Sequence, residues 1–313
     1  MRIVAAPTAF KETLTPLQAA RTIRRALRGH DVLPLPVADG GDGTLECLRA
    51  ALGGRVRLAT VTGPLGRPVR APFLLAGRTA VIEMADASGL KLVPVARRNP
   101  LATTTRGAGE LILAARRAGA RRILLGVGGS ATVDAGRGAL DVLVHARDVT
   151  VLCDVTTALL DAPRVFGPQK GATPAMMPEL DARMRSLPRR VRRLRGSGAA
   201  GGLAGGLASI GATLVPGARF ILRTLRFRER TRGADLVVTG EGRVDATSLA
   251  GKAVGEVLRV SRAPVAIVCG RCTIDPGVPF RELDGPDPMR HAARALASTV
   301  RALVAQVAPA VRR

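Results

Sequence analysis

The feature that most constrains the fold of this 313-residue chain is a repeated order of apolar segment, polar or glycine-rich loop and helix. Residues 2–6 predict a buried strand. Thr15, Pro16 and Gln18 then carry a helix-start signature, with an N-cap, a proline at the first helical position and a capping box. Residues 32–37 predict a second strand, followed by an acidic turn and a helix that ends near Gly53. This alternation predicts an α/β protein with mostly parallel strands.

Later segments extend the same order and suggest two domains. Residues 107–118 predict a helix, and further strands are expected at residues 79–84, 123–127, 149–153, 236–239 and 265–269. A chain of this length is typical of two domains. Turns at residues 63–66 and 231–233 mark the expected crossings. The predicted layout is therefore a discontinuous α/β domain of residues 1–62 plus 232–313, with residues 63–231 inserted as a second α/β domain.

The chain is strongly basic, with 48 Lys and Arg against 24 Asp and Glu and a net charge of +24. The arginine-dense segment 183–195 is the best local support for a polyanion-binding surface. However, the chain has no Trp or Tyr to stack on bases, and its other arginines are scattered. A general arginine bias is the favoured explanation, and we do not expect a nucleic-acid partner.

Cysteine content and hydropathy bear on the compartment. Four cysteines, at positions 47, 153, 269 and 272, do not make the disulfide framework of a small secreted domain, so a cytoplasmic location is expected. Cys269 and Cys272 have redox or zinc spacing, but only His291 is a nearby histidine, which favours a fortuitous pair. The longest apolar segments are far below the roughly 20 residues of a membrane helix, and neither a membrane span nor a signal peptide is expected.

A glycine-rich segment follows one predicted strand directly, at residues 126–134 (GVGGSATVD). Glycines allow backbone N–H groups to turn toward an anion, and Ser130 and Thr132 add hydroxyl donors. A phosphate-binding loop follows as one interpretation. A tight strand-to-helix turn with a Ser or Thr N-cap explains the same residues, and the pattern leaves both open.

Acidic residues follow two other strands. Asp39 and Asp42 bracket two glycines, and two carboxylates on one tight turn suit Mg²⁺ or a substrate hydroxyl, although Asp42 alone could cap the next helix. Glu241 and Asp245 come just after the strand at 236–239 and precede Lys252. This set suits a nucleotide–metal site, while helix capping with surface ion pairs is the alternative.

Lysine is rare in this chain and therefore informative. It occurs only at positions 11, 91, 170 and 252, and three of the four lie next to glycine-rich or turn segments. Lysine is a compact point charge that can approach one phosphate oxygen closely, whereas arginine is a planar fork. Residues 166–171 (FGPQKG) form a turn that presents Lys170 as a cation, or simply a loop with a solvated lysine. Together these segments suggest phosphoryl transfer.

Many ordered segments make the chain resemble the bacterial glycerate kinase family. They include residues 3–7 (IVAAP), 10–14 (FKETL), 35–44 (LPVADGGDGT), 80–85 (AVIEMA), 128–132 (GGSAT), 165–172 (VFGPQKGA), 198–202 (GAAGG) and 239–245 (TGEGRVD). The resemblance implies ATP-dependent phosphorylation of D-glycerate to phosphoglycerate, with Mg²⁺ and with 2-phosphoglycerate the favoured product. It also implies two α/β domains with mostly parallel, Rossmann- or flavodoxin-like sheets, one inserted in the other, and a site in the cleft between them.

Family motifs match this sequence at residues to which we assign expected roles. The residues expected to act in catalysis are Lys11, Asp42, Asp154 and Lys170. Those expected to bind phosphate are Gly128, Gly129, Ser130 and Thr132. Those expected to bind the nucleotide are Glu241, Asp245 and Lys252, and those expected to bind the metal are Asp39 and Asp134.

The chain also departs from the family pattern. Thr8 and Ala9 replace the usual Asp-Ser, Val133 replaces an Asn, and residues 156–158 replace Asp-Asn-Pro. The chain also looks shortened between residues 143 and 149 and between residues 159 and 165. These differences leave two alternatives to an active kinase: a degenerate paralogue with weak or no turnover, and a polyanion-binding protein. The sequence makes no prediction of oligomeric state.

Overall fold

A computed structural model describes residues 1–10, 12–285 and 287–311, without the side chains of residues 310 and 311. Lys11, one of the predicted catalytic residues, lies outside the described residues. The strands of the described chain are β1 (Arg2–Pro7), β2 (Asp31–Pro34), β3 (Arg55–Thr62), β4 (Pro68–Ala76), β5 (Thr79–Glu83), β6 (Arg122–Gly126), β7 (Val149–Cys153), β8 (Thr213–Pro216), β9 (Leu236–Val244), β10 (Val265–Cys272) and β11 (Phe280–Glu282).

Helices separate most of these strands. They are α1 (Pro16–Ala26), α2 (Thr44–Leu52), α3 (Ala85–Ser88), α4 (Arg106–Arg117), α5 (Arg137–Leu140), α6 (Ala162–Phe166), α7 (Met177–Arg185), α8 (Arg189–Arg192), α9 (Leu203–Ser209), α10 (Gly217–Thr224), α11 (Phe227–Arg230), α12 (Ala246–Leu249), α13 (Ala253–Val260) and α14 (Ala292–Val311). No helix among the described residues combines the length and the apolar character needed to cross a membrane.

The first sheet has the strand order β11-β10-β9-β1-β2, and all its neighbouring pairs are parallel. Alternate residues of β10 face opposite sides of this sheet. Ala266 and Val268 pack in the cluster that contains α1 and α14, while Ile267 and Cys269 pack with Val254 of α13. Helices thus cover both faces, which is why the central strands are apolar on both sides rather than alternating with polar residues.

The second sheet has the order β3-β4-β5-β6-β7-β8. Strands β5 to β8 are parallel, whereas β3, β4 and β5 are joined in antiparallel fashion. The edge strand β3 is mostly exposed and carries Arg55 and Arg57, charges that disfavour pairing with a further strand. The main hydrophobic core of the second sheet consists of buried residues from its central strands and from α4, α5 and α9. The fold is therefore the mostly parallel α/β architecture that the sequence predicts.

Contacts divide the chain into two units. Unit 1 comprises Met1–Ala38, Asp42–Ala51 and Ala218–Arg313, and unit 2 comprises Asp39–Gly41 and Leu52–Gly217. We propose that these units are the two domains. The turn at residues 63–66, expected to be a crossing, instead joins β3 to β4, where the Gly63 N–H donates to the Arg67 carbonyl at 2.7 Å. Residues 231–233 join α11 to β9 within unit 1.

All seven strands predicted from the sequence are present in the structure, and four further strands of the described chain were not predicted. The structure forms β1, β2, β5, β6, β7, β9 and β10 where strands were expected, although β2 ends at Pro34 rather than at residue 37. The hairpin of β3 and β4, the short β8 and the exposed β11 were not predicted. Strand β9 also extends to Val244, because its glycine-rich end pairs with β10, where Cys269 lies opposite Glu241.

The start of α1 gives a direct test of the predicted capping box. Thr15 Oγ1 accepts from the Gln18 N–H at 3.3 Å, and Gln18 Oε1 accepts from the Thr15 N–H at 2.9 Å. Replacing Thr15 by Ala should lower the free energy of unfolding by about 1 kcal/mol, because an orphan helix donor loses its acceptor. Chemical denaturation measures the change. Thr15→Ser should retain most of the stability, and equal losses in both variants would contradict the capping role.

Candidate active site

The segment of residues 39–41 lies against the carboxyl ends of the unit 2 strands. Gly40 has φ +106°, and a Cβ there would lie 2.2 Å from the Leu152 carbonyl oxygen at the end of β7. A Cβ at Gly217, just after β8, would lie 1.9 Å from the Asp39 carbonyl oxygen. Glycine is therefore required at both positions, and this close approach fixes Asp39 at the edge where ligands bind in parallel sheets.

The loop after β6, residues 128–132, will be called the glycine loop. The Gly128 N–H donates to the Gly40 carbonyl at 3.0 Å, and the Ala131 N–H donates to the Ser88 carbonyl at 2.9 Å. Within the described part of the chain, the N–H groups of Gly129 and Ser130 have no acceptor. The loop is thus anchored at two amides and leaves two neighbouring donors for an anion.

Lys170 lies in a 3₁₀ turn, Pro168–Lys170, and points its ammonium into this loop. Its Nζ donates to Ser130 Oγ at 2.7 Å and to the Thr132 carbonyl at 2.8 Å. The Nζ also lies 5.8 Å from the centroid of the Phe166 ring. Only 2% of Lys170 is exposed, so the alternative of a solvated loop lysine is wrong. An ammonium has three donors, which leaves one N–H for a ligand.

Burial dominates the electrostatics of Lys170. It lowers the pKa of the ammonium to about 7 from its ordinary 10.5, although the carboxylates of Asp134 and Asp154 oppose the shift. A buried lysine that is partly neutral at physiological pH costs the folded state stability. Its position in a loop with two amide donors that lack an acceptor among the described residues marks a candidate anion site.

Asp134 acts as the anchor of the segment that follows the glycine loop. Its Oδ2 accepts from the Thr105 N–H at 2.9 Å, from Thr105 Oγ1 at 2.8 Å and from the Gly138 N–H at 3.2 Å, while Oδ1 accepts from the Gly136 N–H at 3.0 Å. The residue is 6% exposed. These four hydrogen bonds hold the segment after the glycine loop in place, and the expected metal-binding role of Asp134 stays a prediction.

Two further carboxylates of unit 2, Asp154 and Asp39, lie at this edge. Asp154 follows β7 and is half-buried, and its Oδ2 lies 3.2 Å from where a Gly128 Cβ would be. Asp39 is half-buried, and its Oδ1 accepts from the Gly41 N–H at 3.2 Å. Unit 2 thus brings together Asp39, the glycine loop, Asp154 and Lys170, and the roles expected of them stay predictions.

The family departure at Val133 has a structural explanation. Val133 is fully buried and packs in a small apolar cluster with Leu159, Leu180 and Met184. An apolar residue at this place is therefore part of the support beneath the glycine loop. At Thr8, in unit 1, the hydroxyl donates a long 3.4 Å hydrogen bond to the Ala9 carbonyl.

Two of the predicted nucleotide-binding residues, Asp245 and Lys252, follow β9 in unit 1, and Asp245 has the helix-capping role that was the alternative. Asp245 is the N-cap of α12, with Oδ1 accepting from the N–H groups of Thr247 and Ser248 and from Thr247 Oγ1. The Thr247 hydroxyl is the main cause that lowers the pKa of the Asp245 carboxyl, and Lys252 contributes. Glu241 lies within β9 rather than in a loop. Helix capping thus accounts for Asp245, while Lys252 is close enough to interact with it.

Asp42 belongs to unit 1 and is exposed. It lines a cavity of about 240 Å³ together with Glu12, Thr13 and Pro16. Glu12 and Thr13 directly follow Lys11 in the sequence. The arrangement leaves the Asp42 carboxylate accessible to solvent.

Sequence reasoning missed Thr105 and Phe166 as parts of the site. Thr105 is fully buried and links Asp134 to α5, because its Oγ1 also accepts from the Ala139 N–H at 3.1 Å. The run of three threonines at 103–105 was a signal that could have found it. The four cysteines are free thiols, and no group of three metal-binding side chains occurs among the residues that the structure describes.

The role of Asp134 can be tested by removing only its charge. Asp134→Asn replaces one accepting oxygen by an amide that faces N–H donors, and should lower the free energy of unfolding by about 2 kcal/mol. Asp141→Asn, an exposed change near the end of α5, should alter stability by less than about 0.5 kcal/mol. Thermal or chemical denaturation compares the two variants. Equal stability of Asp134→Asn and wild type would contradict the anchoring role.

Comparisons with known proteins agree with this architecture. The model of the glycerate kinase family matches residues 3–147 and 140–282. A glycerate kinase of Bacillus subtilis is 39% identical over 98% of this chain and 98% of the relative. The glycerate 2-kinase of Escherichia coli is 39% identical over 89% of this chain and 87% of the relative. A crystal structure named as glycerate kinase 2, from Salmonella typhimurium LT2, covers 100% of both chains at 35% identity and a TM-score of 0.80.

The same comparisons bear on the shortened segments. The Bacillus subtilis alignment spans 373 positions, more than the 313 residues of this chain, so this chain lacks residues that the relative has. The two family-model matches meet at residues 140–147, close to where the sequence analysis expects the first shortened segment. Match length, identity and fold all lead to one conclusion: the chain belongs to the glycerate kinase family of enzymes.

Proposed function

We propose that the protein transfers the γ-phosphoryl group of ATP to D-glycerate and forms 2-phosphoglycerate. The observation that carries this proposal is the buried Lys170 ammonium, which donates to Ser130 and Thr132 of the glycine loop, where two N–H groups have no acceptor among the described residues. Phosphoryl transfer depends on positioning and on stabilising negative charge rather than on covalent chemistry by the protein. The family of the chain supports the reaction type.

In the proposed reaction, a hydroxyl oxygen of glycerate attacks the γ-phosphorus of ATP. The bond from that phosphorus to the bridging oxygen breaks, and ADP leaves with the bonding electrons. The hydroxyl proton passes to a carboxylate, for which we propose Asp154. Its half-buried carboxylate beside Gly128 supports this choice. Lys170 and the amides of Gly129 and Ser130 hold anionic oxygens during the transfer.

The donor set fits magnesium through one protein carboxylate plus phosphate oxygens. Mg²⁺ is usually bound by one or two carboxylates together with substrate phosphates, so a cluster of three protein ligands is not needed. Asp39 fits this role better than Asp134, since the Asp134 carboxylate already accepts four hydrogen bonds. When bound, the ion would neutralise charge on the transferred phosphates.

Of the unit 1 residues expected to bind the nucleotide, two keep that role in the proposal and one takes another. We propose that Lys252 and Glu241 contact the nucleotide, and that Asp245 acts by holding the start of α12. Lys11 and Asp42 stay proposals for catalysis. The four free thiols support a cytoplasmic enzyme, since secreted proteins of this size often form disulfides.

The choice of the 2-hydroxyl rests on the Escherichia coli relative, which is named glycerate 2-kinase. Phosphorus NMR of the product distinguishes 2-phosphoglycerate from 3-phosphoglycerate directly. The same sample separates an active kinase from a degenerate paralogue, because the paralogue would yield neither product above background.

The first functional prediction concerns Lys170. Lys170→Met should lower kcat/KM with Mg-ATP and D-glycerate by about 100-fold or more, because a positioned donor to the reacting anion is lost. The melting temperature should not fall, since the buried amine costs folded-state stability on the order of a few kcal/mol at neutral pH. Coupled ADP release and calorimetric melting measure the two effects.

The matched control for this prediction is Lys91→Met. Lys91 is exposed in the same unit and forms an ion pair with Asp86 at 2.6 Å. This variant should keep wild-type kcat/KM. Full activity of Lys170→Met, or an equal loss in both variants, would contradict the proposed role of Lys170.

The second functional prediction concerns pH. Because the pKa of Lys170 is lowered to about 7, its cationic form is lost as pH rises through that value, and kcat/KM should fall above about pH 7. Bound phosphate favours the charged form, so the alkaline limb of kcat should lie at higher pH than that of kcat/KM. A kcat/KM that stays level to pH 9 would show that no group with this pKa is required.

A further inference from the structure

Two adjoining cavities of unit 1 have no part in the proposed reaction. One, of about 450 Å³, lies between α10, α11 and the end of α13, and the other, of about 390 Å³, lies between α11 and the turns before β9 and β10. They share Arg228 and Glu229 as lining residues. We call them together the arginine groove, after the lining residues Arg219, Arg223, Arg226, Arg228, Arg232, Arg259 and Arg262.

Most of the positive charge in the arginine groove is not neutralised by protein carboxylates. Glu256 pairs with Arg219 at 3.5 Å and also with Arg259, and Glu229 pairs with Arg226. Among the described residues, no carboxylate lies within ion-pair distance of four lining arginines, namely Arg223, Arg228, Arg232 and Arg262. Four unpaired guanidinium groups around a concave surface repel one another, so an anion with several charges would be bound favourably there.

The shape and lining indicate which anion fits. A volume of about 450 Å³ is within the range of small-ligand pockets. The guanidinium fork matches phosphate oxygens in a two-pronged geometry. The groove has one aromatic residue, Phe227, which is only 1% exposed, and the chain has no Trp or Tyr, so no ring stacks on a base. The lining therefore suits phosphate groups close together rather than a nucleic-acid strand.

The arginine groove is at the edge of the unit 1 sheet away from the predicted chemistry. Val260 ends α13, which comes before β10, and residues 231–234 come directly before β9. These positions precede the strands, whereas Asp245 and Lys252 follow the carboxyl end of β9. Since parallel strands share their direction, the groove lies at the amino edge and is distinct from the residues proposed for the nucleotide.

We propose that the arginine groove is a second anion site that binds a condensed phosphate chain. Two sources have this chemistry: inorganic polyphosphate, and the triphosphate group of a nucleotide bound without recognition of its base. The proposal depends on no step of the kinase reaction. A binding role in the arginine groove would explain part of the net charge of +24, which a general arginine bias alone otherwise explains.

Calorimetric titration with tripolyphosphate in about 0.1 M salt tests the proposal on the full chain. The groove variant is the triple change Arg223→Ser, Arg228→Ser and Arg262→Ser. The matched control, Arg21→Ser, Arg24→Ser and Arg25→Ser, removes the same charge from exposed positions of α1. We expect at least a tenfold loss of affinity in the groove variant and less than a twofold loss in the control, with equal melting temperatures.

Titrating Lys170→Met separates this site from the proposed kinase site, because binding in the arginine groove should persist in that variant even if turnover is lost. Competition by ATP identifies a nucleotide triphosphate as the source, and competition only by longer polyphosphate identifies the inorganic chain. Absence of tripolyphosphate binding, or equal losses in the groove and control variants, would overturn the proposal. Tighter binding of duplex DNA that the groove variant loses would assign the site to nucleic acid instead.

Discussion

The contact on which the unit 2 site depends is that of the Lys170 ammonium with Ser130 and Thr132. It joins the turn after α6 to the loop after β6. The two bonded residues, Lys170 and Ser130, are 40 positions apart in the sequence. A charge this deeply buried is tolerated because two oxygens accept its protons and two carboxylates lie close enough to favour it. The same contact places a cation in a loop whose Gly129 and Ser130 N–H groups donate to no acceptor among the described residues.

Close backbone approach makes this arrangement possible. Gly40 and Gly217 let residues 39–41 touch the ends of β7 and β8, where any side chain would collide with a carbonyl oxygen. Asp134 then uses four donors to fix the chain that leaves the glycine loop, and Val133 packs into apolar support below it. Different residues therefore stabilise the loop and carry its charge: Asp134 and Val133 hold the chain in place, whereas Lys170 adds a buried cation at the expense of stability.

Local signals in the sequence predicted much of the fold and part of the site. The Thr15 capping box and the apolar strands were readable because their partners are near in sequence or because burial requires apolar residues. Strand β3 was missed because it is an exposed edge strand with charged residues and no apolar run. The hydrogen bonds of Asp134 were not predicted, because a carboxylate suits either an ion or amide donors and its partner Thr105 is brought near only by the tertiary fold. The burial of Lys170 likewise depends on contacts far apart in sequence.

The most direct test of the account is the pKa of the Lys170 amine itself. The chain has lysines only at positions 11, 91, 170 and 252, so NMR of protein labelled with ¹⁵N-lysine gives few side-chain signals, and Lys170→Met identifies the one of interest. The account predicts a pKa of about 7 in the free protein and a higher value once a non-hydrolysable ATP analogue and glycerate are added. A pKa near 10.5 that the ligands do not change would show that Lys170 is neither buried with the glycine loop nor in contact with the reacting anions.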